Sequence, residues 1–573
     1  MIPLQILQWA RFCKEAGILH FFASPGSRSA PLVLALQRLG GFEINMVMDE
    51  RSCAYQALGY ARASGSAVGV FCTSGTAVLN LGPAIAEAFY LEQPLFIFSA
   101  DRPPEWIDQQ EGQAIRQTHV FQAHVRFSGT LPIQDPSQQA LQHSLRILRQ
   151  AYFAAFNGPV KGPVHLNIPI REPFYPESGE PLVFPNLDFG PLHISSSRRR
   201  LEREDLSPLI ELWNKTSKRL LVVGQSKPWL ELANACKALS EYGNVPVAGD
   251  FLNNLHLDCA DGRIVASDGF SKTDWSVDLV PDILITMGGG LLSKPLKQFL
   301  AAHTPKEHWH ISPDQSFPPD PFMHVTRMVM ADPAWFLTRL GESSYFSGQD
   351  VQEEAKRFFS AWISKENNAQ SILQSEAQKS NWDDMRATAW LMNSLPSEGI
   401  LFAGNSMSVR YASWFAKNIP PNLVIQANRG TSGIDGCLSS AVGMARAIPG
   451  KPVIILLGDM GFFYDRNALW GNGLPPNLKI MVLNNAGGNI FRILPQSGKL
   501  PELESHFEMH QPFEAEFASK EAGLAYFRAE NLNDLHDSGS DFLQFKGPAL
   551  LECLTNGVSN AEAVASWKSL LNG

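Results

Sequence analysis

Short apolar runs recur along this chain, each stopping abruptly at small or oxygen-bearing residues and followed by helical spacing. Ile18-Leu-His-Phe-Phe22 runs into Ser24-Pro-Gly-Ser-Arg-Ser-Ala-Pro31, and Phe42 to Met48 runs into Asp49-Glu50. A helix is predicted from Arg51 to Ala63. It is followed by the run Ala67-Val-Gly-Val-Phe-Cys72, the turn Thr73-Ser-Gly-Thr76 and a further helix. Pro94-Leu-Phe-Ile-Phe-Ser99 then enters Ala100-Asp-Arg-Pro-Pro104. Strands that alternate with helices in this way pair in parallel, with helices packed on both faces of the sheet.

The rhythm returns twice. A second block is predicted with strands at Arg219 to Val223, Val245 to Ala248, Ile283 to Met287 and His308 to Ile311. A third has strands at Ile400 to Ala403, Leu423 to Gln426, Val453 to Leu457, Ile480 to Leu483 and Ala549 to Cys553. Between the first two blocks, residues 176–200 hold several prolines and Ser195-Ser-Ser-Arg-Arg-Arg200, which reads as a linker. A polar helical stretch from Val351 to Ser380 joins the second block to the third. The reading is an α/β chain of three doubly wound parallel-sheet domains, at 1–180, 200–345 and 370–573. A length of 573 residues accommodates them.

Composition narrows the partners. A net charge of −9 argues against a nucleic-acid or anionic-membrane surface, so any anionic ligand must be held by locally placed cations. Seven cysteines without a C-x-x-C pair fit reduced thiols in a cytoplasm, and neither a disulfide framework nor a zinc site. The start has no basic segment leading into a long apolar one, and no apolar run approaches a membrane-spanning length; neither a signal peptide nor a membrane span is expected.

The chemistry begins in the third block. Pro452-Val-Ile-Ile-Leu-Leu457 breaks into Gly458-Asp459-Met460-Gly461, and Lys479-Ile-Met-Val-Leu483 into Asn484-Asn485-Ala486-Gly487-Gly488-Asn489-Ile490-Phe491. Asp459 and Asn485 stand 26 positions apart (485 − 459), enough for a helix to return the chain to a parallel neighbouring strand. A carboxylate, an amide oxygen and a loop carbonyl would then meet at adjacent strand ends. That set suits Mg²⁺, which takes its remaining ligands from phosphate and water, so a metal-bridged diphosphate is expected. Either half alone is also ordinary turn chemistry. The pair resembles the thiamine-diphosphate signature of Gly-Asp-x followed by Asn-Asn, departing from it at Met460, where many members carry a small residue. In the first block, Glu50 ends a strand just before a helix. There a carboxylate reads either as a helix N-terminal charge or as a ligand-facing group in the crevice outside the strand ends.

The resemblance extends further. Ser24-Pro-Gly-Ser-Arg-Ser-Ala-Pro31, Asp49-Glu-Arg-Ser52, Thr73-Ser-Gly-Thr-Ala77, Ala100-Asp-Arg-Pro-Pro-Glu105 and Gly112-Gln-Ala-Ile-Arg-Gln117 are similar to one branch of the thiamine-diphosphate enzymes. So are Gly404-Asn-Ser-Met-Ser-Val-Arg410 and Asn428-Arg-Gly-Thr-Ser-Gly-Ile-Asp-Gly436. That branch is the MenD family, 2-succinyl-5-enolpyruvyl-6-hydroxy-3-cyclohexene-1-carboxylate (SEPHCHC) synthase of menaquinone biosynthesis. The match runs from Ser24 to Phe491 and is least distinctive in the central block.

The resemblance implies decarboxylation of 2-oxoglutarate and addition of the four-carbon unit to isochorismate. It implies thiamine diphosphate with Mg²⁺ or Mn²⁺ in a site shared between the subunits of a dimer or a dimer of dimers. Glu50 would be catalytic, on the aminopyrimidine ring. Ser432, Gly433, Ile434, Gly458, Asp459, Met460, Asn485, Gly487, Gly488 and Ile490 would hold the cofactor, with Asp459, Asn485 and Gly487 on the metal. Ile434, predicted to open a helix, would support the bent cofactor, although it reads equally as a core isoleucine. Ser27, Arg28, Arg102, Gln113, Lys294, Ser406, Arg410, Arg429 and Phe491 would bind substrate. Arg28 is expected where a helix begins, so that backbone N–H groups and the guanidinium share a carboxylate. Taken singly, each basic residue also reads as surface salt-bridge material.

The competing reading inside the superfamily is a simpler 2-oxo acid decarboxylase or an acetohydroxyacid-synthase-like carboligase, whose substrates' small neutral side chains would not need Arg28, Arg410 and Arg429. A nicotinamide or flavin enzyme is disfavoured, because Gly288-Gly-Gly-Leu-Leu-Ser293 misses the last glycine of G-x-G-x-x-G.

Overall fold

Among the described residues, eighteen short strands, most of them buried on both faces, assemble into three sheets of six in a computed structural model of the chain. The structure describes residues 2–572 apart from 158–159, 173–174, 177–180, 188–197, 258–261, 271–273, 314–318, 344–347, 472 and 495. Much of the expected linker at 176–200 therefore lies outside the described residues.

The first sheet contains β1 (His20–Ala23), β2 (Glu43–Met46), β3 (Val68–Cys72), β4 (Phe96–Asp101), β5 (Phe127–Thr130) and β6 (Val164–Pro169), in the order β2-β1-β3-β4-β6-β5. The central sheet contains β7 (Arg219–Val223), β8 (Val247–Gly249), β9 (Arg263–Ile264), β10 (Ile283–Met287), β11 (Glu307–Ile311) and β12 (Arg327–Val329). Its order is β12-β11-β10-β7-β8-β9, the doubly wound order of many α/β domains. The third contains β13 (Glu398–Ala403), β14 (Asn422–Gln426), β15 (Val453–Gly458), β16 (Leu478–Asn484), β17 (Ala525–Ala529) and β18 (Ala549–Leu554). Its order, β14-β13-β15-β16-β18-β17, repeats that of the first sheet. Strand pairing is parallel throughout the three sheets. The α/β expectation holds.

The first and third sheets meet through two helices of small residues. Helix Glu50–Ser64 crosses helix Cys437–Ala447 so closely that a Cβ on Gly59 would fall 1.9 Å from the Ser440 carbonyl oxygen. A Cβ on Gly443 would fall 1.9 Å from that of Gln56. Only glycine allows backbones this near each other, so these two positions set the spacing of the domains. Buried polar groups fix the register: Ser439 donates from N and Oγ to Asp465, each at 2.7 Å, and Oγ also lies 2.9 Å from Ser52 Oγ. The central and third sheets share one apolar core, closed by Trp362 of helix Gln349–Ala377 and by Trp414 and Trp567, whose rings lie 4.2 Å apart. Among the described residues, no helix is long and apolar enough to cross a membrane.

Candidate active site

The carboxyl end of the third sheet carries the Asp459–Asn485 pair. Strands β15 and β16 run in parallel with Gly458 opposite Leu483, so Asp459 comes level with Asn484 and beside Asn485. Asp459 opens the short helix Asp459–Tyr464 and is buried. Its Oδ2 accepts from Gln511 Nε2 at 2.8 Å and its Oδ1 from the Met460 N–H at 2.8 Å. Burial pushes the carboxyl up to about 6, the hydrogen bonds from Gln511 and Met460 opposing the rise and the nearby Asp384 charge adding to it.

Asn485 donates from Nδ2 to Asp384 Oδ2 at 2.9 Å, whereas its Oδ1 is buried and accepts no hydrogen bond. Gly487, in the same loop, uses its carbonyl to accept from the Asn489 N–H at 3.0 Å, leaving a second lone pair. Gly488 donates to the Glu508 carbonyl at 2.6 Å, and Ile490 opens the short helix Ile490–Ile493. An ionisable carboxylate, an orphaned amide oxygen and a carbonyl form an all-oxygen set, which fits Mg²⁺ or Mn²⁺. Phe491 packs its ring 5.7 Å from that of Phe507 beside this loop.

Ile434 does not open a helix; the helix begins at Cys437 with Gly436 as its cap. Asn405 explains the difference. Its Nδ2 donates to the Gly433 and Asn428 carbonyls, each at 2.6 Å, which holds the segment in a loop. There Ile434 lies against Gly461, where a Cβ would be 3.9 Å from the Ile434 Cβ, so it borders the Asp459 turn. The loop is also clamped by the first domain. Fully buried Glu87 accepts from the N–H groups of Gly430 and Thr431, at 2.8 and 2.7 Å, and from Thr431 Oγ1 at 2.7 Å. Gln113, Ser406, Ser432 and Ala486 all adopt φ between 56° and 74° without being glycine. Non-glycine residues held there concentrate at functional loops, because the surrounding contacts must impose the conformation.

The basic residues fall into two groups. At the first sheet, Arg28 lies before the helix and not within it; the helix starts at Ala30. The guanidinium instead reaches back to the Ile170 carbonyl at 2.7 Å and to Glu172 at 3.2 Å. Ser27 is exposed at the turn just before it. Arg102 bonds the Gly112 carbonyl at 3.0 Å and shares Glu111 and Glu172 at 3.3 and 3.8 Å. Gln113 follows, its Cα 3.0 Å from where a Cβ of Gly75 would be. Burial, then the Arg102 charge, lowers the Arg28 pKa.

At the third sheet, Arg410 donates to the Ser406 carbonyl one turn earlier in its helix, and Arg429 donates to Asn405 Oδ1 at 3.1 Å. Burial lowers the pKa of both, and Arg410 lowers that of Arg429 further; Asp250 and Asp268 favour the charged Arg410. Lys294 opens a helix after Ser293, whose hydroxyl donates to Asp268 at 2.6 Å. Lys568 enters the same field, feeling Asp268, Arg410 and Lys294. Arg410, Arg429, Lys294 and Lys568 thus gather where the central and third domains meet, with Asp250, Asp268 and Glu87 supplying the opposing charge.

Glu50 follows β2, which is a half-exposed edge strand and not the buried strand its apolar run implies. Its carboxylate accepts from Asn80 Nδ2 at 3.4 Å, its one hydrogen bond among the described residues. Its neighbours hold the third domain: Asp49 accepts from Asn467 Nδ2 at 2.7 Å, and Arg51 donates to the Tyr464 carbonyl at 2.8 Å. Sequence reasoning passed over Gln511, Asp384, Asn405, Lys568 and Glu87. Two of them left a signal: Asn405 lies within the motif Gly404-Asn-Ser-Met-Ser-Val-Arg410, and Glu87 is a lone carboxylate in the apolar helix Gly82–Tyr90.

Residues 8–126 match the model of the thiamine pyrophosphate enzyme N-terminal TPP binding domain, and 405–553 that of the C-terminal TPP binding domain. The 2-succinyl-5-enolpyruvyl-6-hydroxy-3-cyclohexene-1-carboxylate synthase of Cytophaga hutchinsonii is 35% identical over 571 residues, covering 97% of either chain. Its namesake in Desulfotalea psychrophila is 35% identical over 95% of this chain and 96% of its own. That of Bacteroides thetaiotaomicron is 34% identical over 98% of both. Likeness of this extent over the whole length decides the matter: the chain belongs to the 2-succinyl-5-enolpyruvyl-6-hydroxy-3-cyclohexene-1-carboxylate synthase family of thiamine-diphosphate enzymes.

Proposed function

We propose that this chain joins 2-oxoglutarate to isochorismate with loss of CO₂, giving SEPHCHC for menaquinone synthesis, and that it works in the cytoplasm, where thiols like the six free cysteines buried among the described residues stay reduced. The observation that carries the substrate reading is the pair of cationic groups, Arg28 with Arg102 and Arg410 with Arg429 and Lys294, in a protein of net charge −9. Both substrates are dicarboxylates, and an acidic protein holds such anions only with placed cations. A decarboxylase of 2-oxo acids with small neutral side chains, which carry a single carboxylate, would not need so many of them.

Thiamine diphosphate, when bound, supplies an electron sink that accepts the electrons released as CO₂ leaves. Asp459, Asn485 and the Gly487 carbonyl would hold its diphosphate through Mg²⁺ or Mn²⁺. Ser432, Gly433, Gly458, Met460, Gly488 and Ile490 would line the cofactor, and Ile434 would support its bend. Glu50 would hold a proton at the aminopyrimidine ring nitrogen. Ser27 and Gln113 would complete the first-domain wall, and Ser406 and Phe491 the third-domain wall. The site is read as shared between two subunits, with Glu50 of one chain facing Asp459 of another. Apolar side chains left exposed beside these segments, Met46, Met48, Leu79, Tyr464 and Trp470, support a covering partner.

Arg410 is assigned to the distal carboxylate of 2-oxoglutarate and Arg28 to isochorismate. A charged hydrogen bond contributes about 1.5–3 kcal/mol, or roughly 10- to 150-fold. Arg28→Ala should raise the KM for isochorismate by that order with little change for 2-oxoglutarate, and Arg410→Ala should do the reverse. Steady-state kinetics with each substrate varied in turn decides this. Equal effects of both variants on both substrates would refute the division.

A further inference from the structure

The candidate metal ligand Asn485 is useful to a cation only when its amide oxygen, and not its nitrogen, points into the site. The two ends of an amide are nearly identical in shape, so something else must choose between them. In this structure the Asn485 nitrogen is taken by Asp384, 2.9 Å away, and the oxygen is the buried atom left without a partner. Asp384 is itself buried. An ionised carboxylate accepts hydrogen bonds and donates none, so it receives the amide N–H and repels the amide oxygen.

Asp384 is anchored on its other sides. Its Oδ1 accepts from Thr555 Oγ1 at 2.6 Å, just after β18, and its backbone N–H donates to Asn560 Oδ1 at 2.9 Å. The residue thus ties helix Asp384–Asn393 and the segment after β18 to the loop that follows β16. The side chain that chooses the Asn485 rotamer has little freedom of its own.

We infer that Asp384 is a positioning residue for the metal site, holding the Asn485 amide so that its oxygen faces the cation. The inference rests on the assignment of Asn485 as a ligand. Partners behind metal ligands act in this way, and their loss weakens metal binding about 10- to 100-fold.

The test is Mn²⁺ affinity, read by electron paramagnetic resonance titration of the full-length protein with thiamine diphosphate present. Asp384→Ala should weaken Mn²⁺ binding about 10- to 100-fold. Asp384→Asn should recover most of the loss. Its oxygen can still accept from Asn485, while Thr555, whose hydroxyl accepts as well as donates, takes the new N–H. Far-UV circular dichroism and the melting temperature without cofactor report folding separately; if the alanine variant unfolds, Thr555→Val should give a smaller weakening in the same direction. Unchanged Mn²⁺ affinity in Asp384→Ala, or an Asp384→Asn variant as weak as the alanine one, overturns the inference. Asp459→Ala, measured alongside, separates the readings: if it too leaves Mn²⁺ binding unchanged, the metal-site assignment itself fails.

Discussion

Glu50→Gln is expected to leave the fold intact and to lower turnover by about 100- to 10,000-fold, the usual worth of a proton held in place by a side chain. The substitution is nearly isosteric, and the Glu50 carboxylate makes a single long hydrogen bond among the described residues, to Asn80, so little structure depends on its charge. What the amide cannot do is hold a proton at the cofactor's ring nitrogen. Turnover near that of the unmodified protein would remove Glu50 from the mechanism. The same variant tests the shared site. Mixed with the inactive Asp459→Ala chain, it should regain about a quarter of full activity: half of randomly assorted dimers are mixed, and half of their sites keep both residues. No recovery on mixing, with exchange of subunits verified, would place Glu50 and Asp459 in separate sites or in one chain.

Asp459→Ala is expected to weaken Mg²⁺ and thiamine diphosphate together, by more than the 10- to 100-fold that partners behind a ligand typically cost. Folding should suffer far less, because burial already disfavours this carboxylate's charge and the cation offsets that cost in the holoenzyme. Gln511 would lose one of its two acceptors but keep Asn484. Calorimetry measures both ligands, and thermal melting without them measures the fold. Unchanged affinity would contradict the metal assignment, whereas a collapse of the apo fold would make Asp459 a structural residue.

The legibility of this chain in its sequence varies with burial. Strands buried on both faces, such as Val68–Cys72 and Val453–Gly458, stand out as unbroken apolar runs. Those not predicted include β5 and β17, half-exposed strands at sheet edges. They also include β6, whose apolar run is interrupted by His165 and Asn167. Those two pair inside the sheet with Ser99, at 2.7 and 2.8 Å, so polar residues there do not mark a surface.

The site divides in the same way. That Asp459 and Asn485 come together at adjacent strand ends was legible, because each follows an apolar run of a parallel sheet. The helix start expected at Ile434 fails because Asn405, distant in sequence, supplies hydrogen bonds that compete with the helix. Asp384 resembles any helix-opening aspartate until the fold brings Asn485 to it. Tertiary hydrogen bonds of this kind leave no local pattern.

The measurement that bears most directly on the central claim is product formation from defined substrates. Purified protein with thiamine diphosphate, Mg²⁺, isochorismate and 2-oxoglutarate labelled at C1 should release labelled CO₂. It should also yield, in equal amount, an adduct with the mass of SEPHCHC. Pyruvate in place of 2-oxoglutarate should give neither. Rapid CO₂ release from pyruvate, or from 2-oxoglutarate without any adduct to isochorismate, would contradict the account.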